Sequence, residues 1–170
     1  MESLQSASSL DTLERPLSEL EVGVIDLFVN GVRVLGLPKS IGEIYGLLYL
    51  SEQPLSFGDI LSRLQISKGS TSQGLKFLRS LGAVKVVYTA GSRRDHFVAE
   101  TELKKLVGGF IREELMPHLE SGTNRVENLQ AMLDPQDQAE GTFLGDRVRK
   151  LGTWHSRSGK LLPLIEKFLS

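Results

Sequence analysis

Apolar residues recur at helical spacing along most of this chain, with one short interruption. From Leu17 to Leu35, positions 17, 20, 24, 25, 27, 28, 32, 34 and 35 are apolar, a broad stripe on a helix that begins after Pro16 and ends at Gly36-Leu37-Pro38. Ser40 is placed to cap a second helix over 41–50, and Glu43 completes a capping box. Gln53-Pro54 breaks the chain. Ser56 and Asp59 then open a short helix through Leu64, and Ser67 caps another that ends at Gly82, a residue type common at left-handed helix ends. The interruption is a pair of β-rich runs, 84–89 and 96–99, joined by the polar turn 90–95; together they read as a hairpin with a basic tip. Helical spacing then returns through Leu103, Leu106, Val107, Phe110, Ile111 and Leu115, with Pro117 as a kink or stop. A further pattern starts near Val126. Phe143, Leu144, Val148, Leu151 and Trp154 share another face, continued by Leu161, Leu162, Ile165, Phe168 and Leu169.

Two short helices joined by a tight turn and followed by a hairpin make a winged helix-turn-helix. The expected fold is mostly α with a small β-hairpin wing, an α+β arrangement. A Ser-rich mobile tail over 1–16 leads into a DNA-binding domain over 17–100, followed by a helical dimerisation region over 101–170. In a helix-turn-helix the second helix enters the DNA major groove, led by its N-terminal residues. Here that helix starts with Gly69, Ser70, Thr71, Ser72 and Gly74, residues that weaken a helix interior, each Gly by about 1 kcal/mol relative to Ala. Close approach to DNA explains them: small side chains let the backbone near the bases, and hydroxyls reach phosphates or base edges. Leu75 and Leu78 set the phase. Thr71 and Gly74 then lie inward, Lys68, Gly69, Ser72, Gln73 and Lys76 outward, and Ser70 at the margin. Gln73, Ser72 and Ser70 are placed at base edges, Lys68, Lys76 and Arg79 at phosphates, and the wing residues Arg93 and Arg94 at the minor groove or its phosphates.

Charge sharpens this picture. The 170 residues carry a net charge of −1, yet from Ile60 to Arg94 there are seven Lys and Arg and no Asp or Glu. The flanks are acidic, so a basic module sits inside a neutral chain. The alternative is a winged helix that serves as a protein-binding adaptor, which an acid-free basic run disfavours. Lys68-Gly69-Ser70-Thr71 does not read as a phosphate loop, because that motif needs Gly before Lys and a second Gly five residues earlier. With 40% hydrophobic and 24% charged residues the chain reads as globular, and the absence of cysteine removes disulfides and thiolate metal sites. The three histidines, His96, His118 and His155, are widely separated and form no metal-spaced cluster, and no nucleophile–base arrangement is readable. No catalytic residue, metal or cofactor is expected. The N-terminus lacks a signal-peptide pattern and no apolar run reaches the ~20 residues of a membrane span, so a cytoplasmic protein is expected.

The strings Gly36-Leu37-Pro38-Lys39-Ser40-Ile41-Gly42, Leu48-Tyr49-Leu50-Ser51, Pro54-Leu55, Ile66-Ser67-Lys68-Gly69-Ser70 and Gly91 through Asp95, with Tyr45, resemble the MarR superfamily of bacterial and archaeal transcriptional regulators. Within it the chain is most like the branch typified by the repressor of glycine betaine synthesis. The resemblance, over roughly residues 20 to 120, implies a homodimeric repressor whose outer helices pair and whose wings straddle a palindromic operator in duplex DNA. The apolar stripe of the first helix and those after Phe143 exceed what a winged lobe can cover, which fits such a dimer. Phe28, Tyr45, Tyr49, Phe57 and Trp154 are candidates to line a small-effector pocket, since aromatic faces hold quaternary ammonium by cation–π attraction, and the resemblance implies an osmolyte of that class, such as choline or a betaine. The other reading of these five residues is hydrophobic core.

Overall fold

The computed structural model describes residues 16–138 and 141–169. Apart from Pro16, the Ser-rich stretch read as a mobile tail lies outside them. The chain divides into two compact units after Glu102.

The first unit opens with α1 (Glu19–Val34) and α2 (Lys39–Leu50), which pack along each other. Ser18 and Glu21 form a reciprocal capping box at the start of α1, and Gly36, at φ 72°, closes its end. Glycine sets how closely the two helices approach. A Cβ on Gly42 would lie 2.6 Å from both Cα and N of Val29, and one on Gly46 would lie 2.8 Å from Cα of Ile25. Ile25 and Val29 of α1 and Ile44, Tyr45, Leu47 and Leu48 of α2 are buried.

The helix-turn-helix and wing complete this unit: β1 (Leu55–Ser56), α3 (Phe57–Leu64), α4 (Lys68–Ser80), β2 (Val84–Val87) and β3 (His96–Ala99). The strands form an antiparallel sheet in the order β1-β3-β2, with Phe97 opposite both Leu55 and Val86. Ile60 of α3, Thr71, Leu75 and Leu78 of α4, and Val84 and Phe97 of the sheet join the core. The Tyr45 hydroxyl donates to the Glu100 carbonyl at 2.6 Å, fastening α2 to the chain leaving β3. Burial, helped by the nearby Tyr49 and Glu100, pushes the Tyr45 phenol up to about 12.

Several details depart from the sequence-based expectation. Ser40 does not cap α2. That helix begins two residues earlier, at Lys39, with Pro38 at the N-cap, so Ser40 lies inside the first turn, and Glu43 instead pairs with Lys39 at 3.1 Å. The strand β1 was not expected. Arg63, counted with the basic run, is turned inward: its guanidinium is 2.7 Å from the Glu21 carboxylate and its side chain is only 5% exposed. Burial pushes the Glu21 carboxyl up, but hydrogen bonds from Ser18 and Arg63 and the Arg63 charge outweigh it and hold it below its ordinary value. A depressed carboxylate contributes stability above its unfolded pKa and loses it as pH falls through the folded one.

In the second unit, α5 (Leu103–Phe110) runs through a π turn, Ile111–Leu115, into α6 (Met116–Ala131). Pro117, expected as a kink or stop, sits instead at the start of α6. Its ring cannot donate to the carbonyl four residues back. The wider turn before it, closed by the Met116 N–H on the Ile111 carbonyl, keeps the chain helical. The two C-terminal apolar patterns lie on one 27-residue helix, α7 (Phe143–Leu169), with Pro163 inside it. His155 of α7 donates through Nε2 to the Leu119 carbonyl of α6 at 2.6 Å. Gly122 leaves room for that imidazole, since a Cβ there would lie 2.3 Å from its Cε1.

Candidate nucleic-acid interface

The side chain of Ser67 starts α4 by accepting the Ser70 N–H at 3.1 Å, and its hydroxyl meets that of Ser70 at 3.0 Å. The first turns of α1 and α3 carry Glu19, Glu21 and Asp59; that of α4 carries no acid and begins with Lys68. A lysine against the positive end of a helix is locally unfavourable. An anion bound at that end reverses the sign, because free N–H groups, helix dipole and ammonium then point at the same charge.

Burial along α4 follows a single helical face. Thr71, Gly74, Leu75 and Leu78 are buried, while Lys68, Gly69, Ser72, Gln73, Lys76 and Arg79 are exposed and Ser70 is half-buried. Thr71 spends its hydroxyl on the Ser67 carbonyl, 3.0 Å away. Gly74 has a packing cause: a Cβ there would lie 2.5 Å from Cδ1 of Ile44. Its small size seats α4 against α2 rather than serving the outer surface. Gly69 has open space on its outer side, with only the Ser67 hydroxyl near a Cβ, at 3.8 Å.

At the wing, Gly91 takes the left-handed conformation with φ 81°. The Ser92 N–H donates to the Thr89 carbonyl at 3.1 Å, the Arg94 N–H to the Ser92 hydroxyl at 3.2 Å, and His96 Nδ1 to the Arg94 carbonyl at 2.9 Å. The tip is thus held by local hydrogen bonds while the side chains of Arg93 and Arg94 face solvent. Among the described residues, no carboxylate pairs with Lys68, Lys76, Arg79, Arg93 or Arg94. Lys85 differs, lying 2.7 Å from Glu100. Tyr88, which sequence reasoning passed over as a strand residue, stands 87% exposed just beyond β2. Alternation along β2 was the available signal, since it puts Tyr88 on the face of Val84 and Val86, past the end of the covered core.

The five aromatic residues proposed for a pocket do not all come together. Phe28, Tyr45 and Tyr49 form one cluster, with centroids 4.8 Å apart for Phe28–Tyr45, 5.4 Å for Phe28–Tyr49 and 6.0 Å for Tyr45–Tyr49. Phe57, half-buried at the start of α3, makes no ring contact with them. Trp154 belongs to the other unit, where its ring neighbour is His155.

This architecture has counterparts among known proteins. The family described as bacterial regulatory protein, arsR family, matches residues 47–86, from the end of α2 into β2. The HTH-type transcriptional repressor GbsR of Bacillus subtilis (strain 168) is 30% identical over 110 residues, 65% of this chain and 61% of that protein. The HTH-type transcriptional repressor OpcR of the same organism is 21% identical over 56% of this chain and 49% of its own length. The putative HTH-type transcriptional regulator YvaV, also from that organism, is 18% identical over 91% and 90%. The matched part of this chain therefore spans less than two thirds of either repressor. A crystal structure of a transcriptional regulator superposes with a TM-score of 0.60 at 16% identity, covering 87% of this chain and 97% of that one, which shows the shared winged-helix fold.

Proposed function

We propose that this GbsR-like protein is a sequence-specific DNA-binding transcriptional regulator that acts as a homodimeric repressor on a palindromic operator. The observation that carries the reading is the pairing of an acid-free α4 N-terminus with five exposed cations, on α4 and the wing, that no described carboxylate neutralises. In this reading Ser70, Ser72 and Gln73 face base edges, Lys68, Lys76 and Arg79 grip phosphates, and Arg93 and Arg94 reach the adjacent minor groove. Residues 17–100 serve as the DNA-binding domain and 101–170 as the dimerisation region. Phe28 and Tyr49, both half-buried, offer ring faces of the kind that hold a quaternary ammonium effector. An electrophoretic mobility shift with fragments upstream of the protein's own gene tests the reading directly.

A dimer using these cations should neutralise on the order of six to ten phosphates. Log affinity should then fall with log salt at a slope of about −0.9 per phosphate. Arg93→Ala with Arg94→Ala should weaken binding to all sequences alike and make the slope shallower by about 3 to 4, as loss of four contacts per dimer requires. A salt-independent affinity would remove DNA from the proposal.

Gln73 should act differently. A bidentate contact with adenine is worth about 1–3 kcal/mol against a wrong base. Gln73→Ala should therefore relax preference at one position of each half-site. If binding-site selection returns the wild-type profile, Gln73 does not read a base.

A further inference from the structure

The helix α7 carries a second basic run that the helix-turn-helix does not use. Between Asp146 and Glu166 the chain has Arg147, Arg149, Lys150, Arg157 and Lys160, and no Asp or Glu. Helical phase brings Arg149, Arg157 and Lys160 to one side of α7. There they line a groove of 490 Å³ together with Thr153, Ser156 and, from α6, Gln130. Gly152 keeps the floor of the groove open: a Cβ at that position would lie 3.2 Å from Nε2 of Gln130 and 3.3 Å from Cγ1 of Val126. Arg149 is held in place by its ion pair with Asp146 and by donating to the Gln138 carbonyl at 3.4 Å. Arg157 and Lys160 pair with no carboxylate among the described residues. Three cations converge on this concavity, with Asp146 as the one paired carboxylate among the described residues; the remaining charges repel, and a bound anion relieves that repulsion.

We propose that this groove is a binding site for a small phosphate-bearing anion. The chemistry selects that class. Guanidinium forks match phosphate oxygens in pairs, and lysine adds a compact charge. The Ser156 hydroxyl and the Gln130 amide supply neutral donors on either wall. The volume falls in the range of small-ligand pockets, roughly 300–1,000 Å³, enough for a pyrophosphate or a phosphate ester. The inference stands on α6 and α7 alone and does not depend on DNA binding by α4.

Isothermal titration of the full-length protein with sodium pyrophosphate, at ionic strength held constant with chloride, tests it. The expected result is saturable binding at one site per chain. Arg157→Gln with Lys160→Gln should weaken that binding about tenfold or more, since two charge-assisted hydrogen bonds are lost. Arg93→Gln with Arg94→Gln should leave it unchanged. The groove variant should bind DNA like wild type in the absence of pyrophosphate. In ¹⁵N spectra of the wild-type protein, pyrophosphate should shift the amides of Thr153, Ser156 and Lys160, a readout that needs no variant to fold. Absence of saturable heat, wild-type affinity in the groove variant, or shifts confined to residues 67–76 and 93–94 would each overturn the proposal. So would a groove variant that loses DNA affinity when the wild type gives no pyrophosphate heat.

Discussion

Trp154→Glu combined with Leu161→Glu should leave each protomer folded but monomeric, and DNA affinity should fall by about 10²–10⁴ because two linked half-site contacts become separate ones. The expectation comes from the exposed side of α7. Leu144, Leu151, Trp154, Leu161, Ile165 and Phe168 are all exposed, from 38% for Ile165 to 87% for Phe168. Their spacings of seven, three, seven, four and three residues follow the a and d positions of a heptad, with Arg147 and Ser158 at the two remaining places. Such a seam is what a partner helix covers, and contiguous apolar surface of this kind marks an interface. Trp154 is 66% and Leu161 58% exposed in the single chain. Charges there should cost the protomer little, since exposed substitutions usually stay within about 0.5 kcal/mol. Across a dimer the same two changes bury four unpaired carboxylates, each costing several kcal/mol. Sedimentation and a thermal melt separate the two effects. A variant that still sediments as a dimer, or that binds a palindrome like wild type, would take the interface away from α7.

What the sequence disclosed was mostly local chemistry. Ser56 with Asp59, Ser67 ahead of α4, and Gly82 at φ 70° are legible because capping acts over three or four residues and leaves its signature in the string. The inward and outward sides of α4 are legible for a similar reason, since Leu75 and Leu78 fix the phase of every residue between Lys68 and Arg79. Ser40 misled because the same three-residue rule fits it, while Pro38, its φ set by its ring, already starts the helix two residues earlier. Non-local features were hidden. Nothing near Arg63 announces Glu21, which lies 42 positions away in sequence. A two-residue strand such as β1 is too short to show a period, and only its pairing with β3 defines it. The groove between α6 and α7 was also out of reach: helical phase puts Arg149, Arg157 and Lys160 on one side of α7, but the opposite wall at Gln130 exists only through the packing of α6 against Gly152.

Gly42→Val should destabilise the protein by about 3 kcal/mol or more, lowering its midpoint of thermal unfolding by roughly 10 °C for a chain of this size. The added Cβ alone would lie 2.6 Å from Cα and N of Val29 and 2.8 Å from the Phe28 carbonyl carbon. These are backbone atoms of α1, so no rotamer change relieves the clash and the whole helix must lift. Lifting it opens the contact that buries Ile25 and Val29 and draws Glu21 away from Arg63, whose side chain is only 5% exposed. The consequence reaches the recognition helix. α2 is held on one side by α1 and on another by α4, where Ile44 fills the space that Gly74 leaves. Moving α2 therefore moves the seat of Lys68 to Arg79, and DNA affinity should drop together with stability. Gly31→Ala on the same α1 is the control. A Cβ there meets nothing within 4 Å, and alanine favours a helix interior by about 1 kcal/mol over glycine. It should melt at or above the wild-type temperature. If Gly42→Val melts within a degree of wild type, α1 does not rest on α2 at Val29, and the packing that links α1 through α2 to α4 is not as described.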